Sequence, residues 1–572
     1  MKSFGKADRI MMIAVAGIVI MVFTACPPPP PPPLNPQTLP ADASDACPLS
    51  SGTFGNWFEL GSPTLNGVVK PADSVAFPNV PNCTFYQWSE QMFLWLTSPA
   101  PATYGGGGGR IFDSPAFFDV SPPAADGSRT FLPHTPGLIR AFNLRAAQLG
   151  PHRLPVIMDR GGRMLEIETP KTEAIPQVRD ASGRLVEIAH ARWEKGKLLL
   201  LDKEGKVIQF QISGPGKTND RAQMNNALTA QKFIIDRIPI FLDPSLAVID
   251  VEQGQAGGGG VLMSQNCSLV YYATMVNDVY AYFATGIKDG AISASTFPTT
   301  SGDLANIENF AAAHGKSSFP DPNALAVEVK SAWVEAAGLS NLSSYITMNA
   351  TIPTYTGSCT SPSPQWTTTG NQKTVQLALV GIHVVGSTAG HPEMIWSTFE
   401  HMANDPRDTY SYTNSSNATV SVPRNTAANW LFTANNSSGP FDVEHMFFNS
   451  PNIDAVSPFN VSASDTLRSE PFGITGSNAN SNTEVISTNN HVRGMLAGGD
   501  IRGNYIMTGA TWTIFGAPPS GGNQVGTNAL TNTTMETYQQ GSNCFGCHSG
   551  NMLGSTGDSG LSHIFAPLKP LF

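Results

Sequence analysis

The run Asp159-Arg160-Gly161-Gly162-Arg163 recurs as Asp180-Ala181-Ser182-Gly183-Arg184 and again as Asp202-Lys203-Glu204-Gly205-Lys206, and it decides the β part of the predicted fold. Aspartate and glycine at these offsets suit the tight turns that join antiparallel strands. Each turn precedes a β-prone run of Val, Ile, Leu or Met. The repeat therefore predicts a β-meander over residues 153–213, inserted in the body as a partner or scaffold surface.

The remaining body has both helical and extended patterns. Apolar and aromatic residues recur at helical spacing within residues 85–96, which predicts a buried core helix. Residues 264–350 are expected to be mainly helical, including a helix that begins at Asp321-Pro322 with a cap and a first-turn proline. Residues 351–490 are rich in Thr, Ser and Asn and predict strands and surface loops.

Composition sets broad limits on the class of protein. The chain has 572 residues, of which 41% are hydrophobic and 13% charged, with a net charge of −10. That hydrophobic share is sufficient for a core, and the length implies more than one packed unit. A nucleic-acid partner is not expected, because no basic cluster follows the N-terminus. The predicted class is α+β: a mixed body with a β-hairpin segment and a short helical C-terminal segment.

The N-terminus has the pattern of an export signal. Basic residues precede an apolar run at 10–23, which is too short to span a bilayer comfortably, and Phe23-Thr24-Ala25-Cys26 closes it. This ending resembles a bacterial lipoprotein signal, with residues 1–25 removed and Cys26 lipidated. The prolines at 27–33 then predict a semi-rigid tether over residues 26–46. A plain cleaved secretory peptide is the alternative.

The remaining cysteines fit an oxidising compartment. Apart from Cys26 and a C-terminal pair, the chain has Cys47, Cys83, Cys267 and Cys359. An even number in an exported protein predicts two disulfides. Three pairings are possible, and loop length favours Cys47 with Cys83.

The C-terminal run Cys544-Phe545-Gly546-Cys547-His548 has the C-x-x-C-H pattern of covalent haem attachment. Both thiols can add to the haem vinyl groups, and the histidine then lies under the porphyrin as proximal iron ligand. A redox C-x-x-C pair or half of a zinc site are the alternatives, but the βαβ context and further nearby ligands that they need are missing. The sequence thus predicts one covalent haem c in segment 526–572, after a body over residues 47–525.

The sixth ligand of the iron decides the chemistry. His563 is the tentative distal ligand, because Met552 is too near the proximal side. An upstream residue such as His383, His445 or Met507, or an open position, are the other possibilities. Two protein ligands favour electron transfer, whereas an open position favours reaction with peroxide, oxygen or nitrogen oxides.

A second cluster of polar residues gives weak catalytic candidates. His383 lies in a run typical of a buried strand, and residues 391–401 are expected to form a short helix with Glu393 and Glu400 on one face. The H-E-x-x-H spacing, which places two histidines on one face of a zinc-binding helix, is absent from this run. His383 and Glu400 are the candidates for a substrate or haem-edge role, and core packing is the alternative for the whole segment.

Several stretches together resemble large bacterial single-haem proteins, grouped as cytochrome c family proteins. The stretches are Trp88 to Trp95, Glu328 to Trp333, Val380 to His401, Asn504 to Trp512, Asn532 to Gln540 and the C-x-x-C-H run. The resemblance implies haem on Cys544 and Cys547 with His548 as proximal ligand, and it implies no substrate.

These observations predict an envelope-anchored monohaem c-type cytochrome that transfers single electrons to periplasmic or membrane redox partners. The expected location is the periplasm or outer membrane of a Gram-negative bacterium, with the N-terminal lipid in the membrane. A haem oxidoreductase of oxidase or peroxidase type, with a substrate pocket in the large body, is the first alternative. A surface binding protein with a structural haem is the second.

Overall fold

The structure is a computed structural model that describes residues 38–572 with gaps. The gaps are 79–81, 106–108, 123, 125–127, 140–155, 159–163, 169–174, 195–196, 214–228, 237, 250–259, 427–428, 435–438, 450, 474–477, 520–521, 541–543, 549–552 and 554–560. The predicted signal peptide and Cys26, the first of the three Asp-Gly turns, and Met552 therefore lie outside the described residues.

Helices are few in the described part of the chain. They are α1 (Ser51–Trp57), α2 (Asn82–Leu96), α3 (Asp278–Lys288), α4 (Ser301–Ala313), α5 (Ala479–Met495) and α6 (Cys544–Cys547).

Strands account for most of the regular structure. They are β1 (Phe117–Val120), β2 (Phe131–Pro133), β3 (Leu138–Ile139), β4 (Val156–Met158), β5 (Met164–Glu168), β6 (Gln177–Arg179), β7 (Leu185–Glu187), β8 (His190–Glu194), β9 (Lys197–Leu201), β10 (Thr229–Ile235), β11 (Ile238–Leu242), β12 (Tyr271–Asn277), β13 (Val327–Glu335), β14 (Thr347–Tyr355), β15 (Gln365–Trp366), β16 (Thr368–Thr388), β17 (His391–His401), β18 (Tyr410–Thr413), β19 (Thr419–Val422), β20 (Met446–Asn449), β21 (Asn452–Ala455), β22 (Tyr505–Thr513) and β23 (Gln524–Gly526).

The predicted α+β class is wrong, because the protein is β-rich and built on one large sheet. Ten strands join in it, eight of them in the order β2-β1-β12-β13-β16-β17-β22-β23, with β14 paired to β16 and β3 to β14. Neighbouring strands are antiparallel apart from β3 and β14. The C-terminal segment is not the predicted helical module either, because its described part holds one four-residue turn of α-helix, α6, and otherwise mainly turns.

The large sheet has two differently covered faces, because side chains alternate along each strand. One face packs on α2, where Phe93 stacks on Phe399 at 4.3 Å between ring centroids and Phe85 stacks on Trp512 at 4.0 Å. The prediction of a buried core helix at 85–96 is thereby confirmed. The opposite face bears Glu328, Lys330, His383, Trp396, Thr398 and Glu400. We call it the C-terminal face, because described residues between 532 and 562 contact it.

Residues 321–337 are not a helix, as the sequence predicted, but a turn followed by a strand. Pro322–Ala324 forms one 3-10 turn and ends at Leu325, whose positive φ of 57° takes the chain out of helical geometry. The next residues, Val-Glu-Val-Lys, then pair with both β12 and β16 as strand β13. The Asp321 side chain makes no capping hydrogen bond, and the pairing partners on both sides favour a strand. Residues 264–350 are accordingly a mixture of strands and helices rather than mainly helical.

Residues 391–401 are likewise a strand, β17, and not the predicted short helix. β17 lies between β16 and β22 inside the sheet, and nearly all of its residues are buried on both faces. A central strand with two buried faces gives a near-continuous apolar run, which sequence periodicity cannot distinguish from a buried helix. In a strand, Glu393 and Glu400 point to opposite faces, so they do not form the predicted carboxylate pair.

The Asp-Gly repeat region contains hairpins that belong to several small sheets. At the second and third turns, Oδ1 of Asp180 and of Asp202 each accepts two backbone N–H groups at 2.9–3.1 Å. The strands pair as β6–β7 and β8–β9, while β4 and β5 join β10 and β11 in a four-stranded sheet. The turn chemistry was therefore read correctly, whereas the strands do not form one continuous meander.

Two disulfides cross-link the body. Cys47 is bonded to Cys83, with 5.2 Å between Cα atoms, and Cys267 to Cys359, with 5.8 Å. In the described residues, no helix is both long and apolar enough to cross a membrane.

A buried histidine joins two segments at the β1–β2 edge of the sheet. His134 Nε2 lies 2.8 Å from Asp113 Oδ1, and its Nδ1 lies 3.0 Å from Asp119 Oδ2. All three side chains are buried. Burial alone would lower the pKa of His134, but the hydrogen bonds and charges of the two carboxylates outweigh it and raise the pKa to about 9.

We expect His134→Ala to lower the free energy of unfolding by about 3 kcal/mol below about pH 6.5, because it leaves two buried carboxylates without their cation. The raised folded pKa means that this stabilisation is complete below the unfolded pKa of 6.5 and is lost as pH rises through about 9. Chemical denaturation of both proteins across this range measures the difference. His190→Ala, at an exposed His190–Asp236 pair, is the control and should change little. A His134→Ala difference that stays constant with pH would contradict this account.

Candidate functional site

The segment before the C-x-x-C-H run is fixed to the C-terminal face by buried polar contacts. Glu400 on β17 accepts hydrogen bonds from the Thr533 backbone N–H at 2.5 Å and from its hydroxyl at 3.0 Å. The same carboxylate forms a buried ion pair with Arg468, whose Nη1 also donates to the Thr531 carbonyl at 2.9 Å. Burial lowers the pKa of the Arg468 guanidinium. Because every charged group here has a partner, the pair holds the segment in one register on the sheet.

A second ionic contact lies next to the first. Glu536 places both carboxylate oxygens 3.1 Å from His383 Nε2, and Lys330 Nζ lies 3.6 Å from the same carboxylate. Burial would raise the pKa of Glu536, but attraction to His383 and Lys330 outweighs it and lowers the pKa to about 2. His383 and Glu400, the two weak catalytic candidates, are therefore both engaged in holding the segment 531–540.

The C-x-x-C-H run itself begins in α6 and lies over Trp396. Phe545 is buried and packs edge-on against the Trp396 ring, with 6.3 Å between the ring centroids. The backbone N–H of His548 donates to the Cys544 carbonyl at 2.8 Å. Cys544 is partly buried, with Sγ 3.6 Å from the Leu530 carbonyl. Trp396 is in turn fixed by a hydrogen bond from its Nε1 to the Glu393 carbonyl at 3.0 Å.

His548 is oriented by the chain that follows it. Its Nδ1 lies 2.8 Å from the Leu561 carbonyl oxygen, which can only accept, so Nδ1 carries the proton. In the neutral imidazole the lone pair is then on Nε2, which is a common donor atom of metal-ligating histidines. The ring also lies 4.2 Å from Trp396, which belongs to an apolar cluster that includes Leu561, Ile564 and Phe565.

His563 does not lie opposite His548 in this arrangement. The two imidazoles stack face to face, with centroids 3.9 Å apart and planes inclined by 16°. Rings stacked this closely leave no room for a porphyrin between them. Ligation by both histidines therefore requires His563 to leave the stack. The other candidate iron ligands, His445 and Met507, have different surroundings. The His445 ring forms hydrogen bonds with the Val443 and Ser462 carbonyls, and Met507 lies in the core on the α2 face of the sheet.

A partly buried acid lies beside this segment. Ser562 Oγ donates to Glu328 Oε2 at 2.6 Å and is 2.8 Å from the Tyr280 hydroxyl on α3. Burial raises the pKa of Glu328 to about 7, although the Ser562 hydrogen bond and the charges of Lys330 and Arg129 oppose the rise. Glu328 is on the same cross-strand row as Val385 and Trp396.

Sequence reasoning did not find Leu561, Ser562, Glu328, Trp396 or Glu536 as parts of this site. A backbone carbonyl has no sequence signal, and Glu328 and Trp396 come from distant strands that only the sheet brings together. Within the described residues, no group of three or more His, Cys, Asp or Glu side chains is arranged to hold a metal ion.

We expect Glu400→Gln to cost about 3–5 kcal/mol of stability, because it takes from the buried Arg468 guanidinium the carboxylate that it contacts directly. The double variant Glu400→Leu with Arg468→Met should cost less than the two single changes together, since neither charge is then orphaned. Denaturant titrations of all three measure this. The control is Glu335→Gln at the more exposed Glu335–Lys373 pair, which should cost under about 1 kcal/mol. A stable Glu400→Gln protein would contradict the structural role and favour the catalytic one.

No family model, no curated protein and no solved structure matches this chain.

Proposed function

We propose that this protein is an exported monohaem c-type protein that transfers single electrons. The observation that carries the proposal is the C-x-x-C-H run together with the hydrogen bond from His548 Nδ1 to the Leu561 carbonyl. The first supplies the residues for covalent attachment, and the second selects the imidazole tautomer that can bind iron.

The residue types at this place suit a covalent haem. Cys544 and Cys547 would hold it covalently, and His548 would bind the iron through Nε2. Haem supplies a one-electron Fe(III)/Fe(II) couple when it is bound. The chain's own contribution is to fix the imidazole through Leu561 and Trp396 and to border the site with apolar side chains such as Phe545. Apolar surroundings exclude water and tune the reduction potential of such a centre.

The export signal and the lipid anchor belong to the same proposal. Haem c in a protein with two disulfides fits an oxidising compartment, and the segment ending at Cys26 has the pattern of a lipoprotein signal. Lipidation of Cys26 would hold the protein in the periplasm or at the outer membrane of a Gram-negative cell, near redox partners. Labelling cells with a tagged fatty acid tests this: wild type should be labelled, and Cys26→Ser should not.

Covalent haem is the first expectation to test. Wild-type protein produced with a cytochrome c maturation system should keep its haem after denaturing electrophoresis and give a pyridine haemochrome spectrum. Cys544→Ala with Cys547→Ala should lose this haem, because no thioether can form. His548→Ala should keep the thiols but change the spectrum of the iron. Wild-type protein without covalent haem would refute the proposal.

A haem-dependent oxidoreductase is the second candidate, and one observation favours it. His563 stacks on His548 rather than facing it, so the sixth position of the iron would not be filled by His563 without a rearrangement. An exchangeable sixth position allows small ligands to reach the iron.

We expect His563→Ala to leave the carbon monoxide response of the reduced protein unchanged, because in this structure His563 lies against the proximal ring. Visible spectra of both proteins with and without carbon monoxide measure this. A wild-type spectrum that ignores carbon monoxide favours electron transfer alone, and one that responds favours the oxidoreductase. A response that arises only in His563→Ala would identify His563 as the axial ligand after all.

A further inference from the structure

A carboxyl group lies next to the proposed haem site without a role in fixing the segment 531–540. Glu328 Oε2 accepts the Ser562 hydroxyl at 2.6 Å. Ser562 directly follows Leu561, whose carbonyl accepts from His548 Nδ1 at 2.8 Å. The carboxyl and the proximal imidazole are therefore held by two consecutive residues of one chain segment. This inference rests on the proposed haem at His548.

We propose that Glu328 is a proton-binding site coupled to the haem, so that the protein carries one proton together with each electron. On reduction, one electron from a one-electron donor enters the iron, which passes from Fe(III) to Fe(II), and one proton from solvent forms an O–H bond on the Glu328 carboxylate. On oxidation the O–H bond breaks, and the electron and the proton both leave.

The coupling follows from electrostatics. The added electron removes one positive charge near a carboxylate that is partly withdrawn from water, and such a carboxylate binds a proton more tightly as nearby positive charge decreases. On the sheet, Glu328 is two strands from Trp396, which itself contacts His548. At about 4.8 Å per strand, that separation is about 10 Å.

The surroundings of Glu328 allow both protonation states. Its pKa of about 7 lies where either state is populated at neutral pH. Ser562 can donate to the carboxylate or accept from the carboxylic acid, so the hydrogen bond survives in both states. Burial holds the pKa of Tyr280 well above 10, so this phenol stays protonated. Glu328 is also only partly buried, which gives the proton access to solvent.

Other titratable groups face the same place and must be separated from Glu328. Lys330 follows on the same strand, Arg129 contributes charge from the segment before β2, and Tyr280 contacts Ser562 from α3. His563 adjoins Ser562 and stacks on His548. Of these, His563 is the one whose ordinary pKa also lies near neutrality, so it needs its own variant.

The test is a spectroelectrochemical titration of the haem-loaded, full-length protein from about pH 5 to about pH 9, which brackets neutrality. The wild-type midpoint potential should fall with rising pH, with a limiting slope of about 59 mV per unit for one proton per electron. Glu328→Gln should remove this slope. Glu335→Gln on the same strand, at its surface pair with Lys373, is the matched control and should keep it.

Redox-difference infrared spectra give a second measurement. A carboxylic acid C=O band should grow on reduction of the wild type and be absent from Glu328→Gln. Should that variant not fold, Ser562→Ala gives the test instead. It keeps the carboxyl but removes a hydrogen bond that stabilises the charged form, which raises the pKa of Glu328. The pH range in which the midpoint potential falls should therefore move to higher pH.

A pH-independent wild-type potential would overturn the inference while leaving electron transfer intact. A slope that survives Glu328→Gln but disappears in His563→Gln would also overturn it and assign the proton to the histidine. Wild-type protein without covalent haem would overturn both this inference and the proposed function on which it rests.

Discussion

The buried ion pair between Glu400 and Arg468 is the constraint on which the C-terminal part of the molecule depends. Two charges withdrawn from water are tolerated only when each has its full set of partners. Here those partners are the backbone and hydroxyl of Thr533 and the carbonyl of Thr531. The pair therefore joins the central strand β17 to the segment that leads into Cys544. The contacts that satisfy the two buried charges are thus the same contacts that hold the segment before the C-x-x-C-H run on the sheet.

The sheet then supplies the surroundings of His548. Trp396 lies in the sheet, and a hydrogen bond from its Nε1 fixes its ring. The His548 imidazole therefore packs on a residue of a strand rather than on a loop. The neighbouring row on the same face carries Lys330, His383 and Thr398, all of which contact or surround the segment 531–540. One face of the sheet thus combines an apolar patch at the proposed haem site with charged contacts that hold the preceding segment in place.

The same sheet explains why two helices were wrongly predicted from the sequence. β13 and β17 are central strands with neighbours on both sides. In β17, burial on two faces removes the alternation that marks a strand, so the proline at 392 indicated a helix that does not form. In β13, Val327 to Lys330 keep the alternation, and the helix was predicted from the Asp321-Pro322 start instead. The aromatic run at 85–96 was read correctly, because a helix packed on one sheet face keeps its 3.6-residue periodicity.

The sequence by itself determined the elements whose chemistry is local. The Asp-Gly turns at Asp180 and Asp202, the buried helix α2 and the spacing of Cys544, Cys547 and His548 depend on residues that are close along the chain. Only the tertiary structure decided the β-rich class, the pairing of Cys267 with Cys359, and the neighbours of His548, whereas loop length had already favoured Cys47 with Cys83. Those features join residues tens to hundreds of positions apart, such as Glu328 and Ser562, and short-range patterns hold no information on which distant strands will lie side by side.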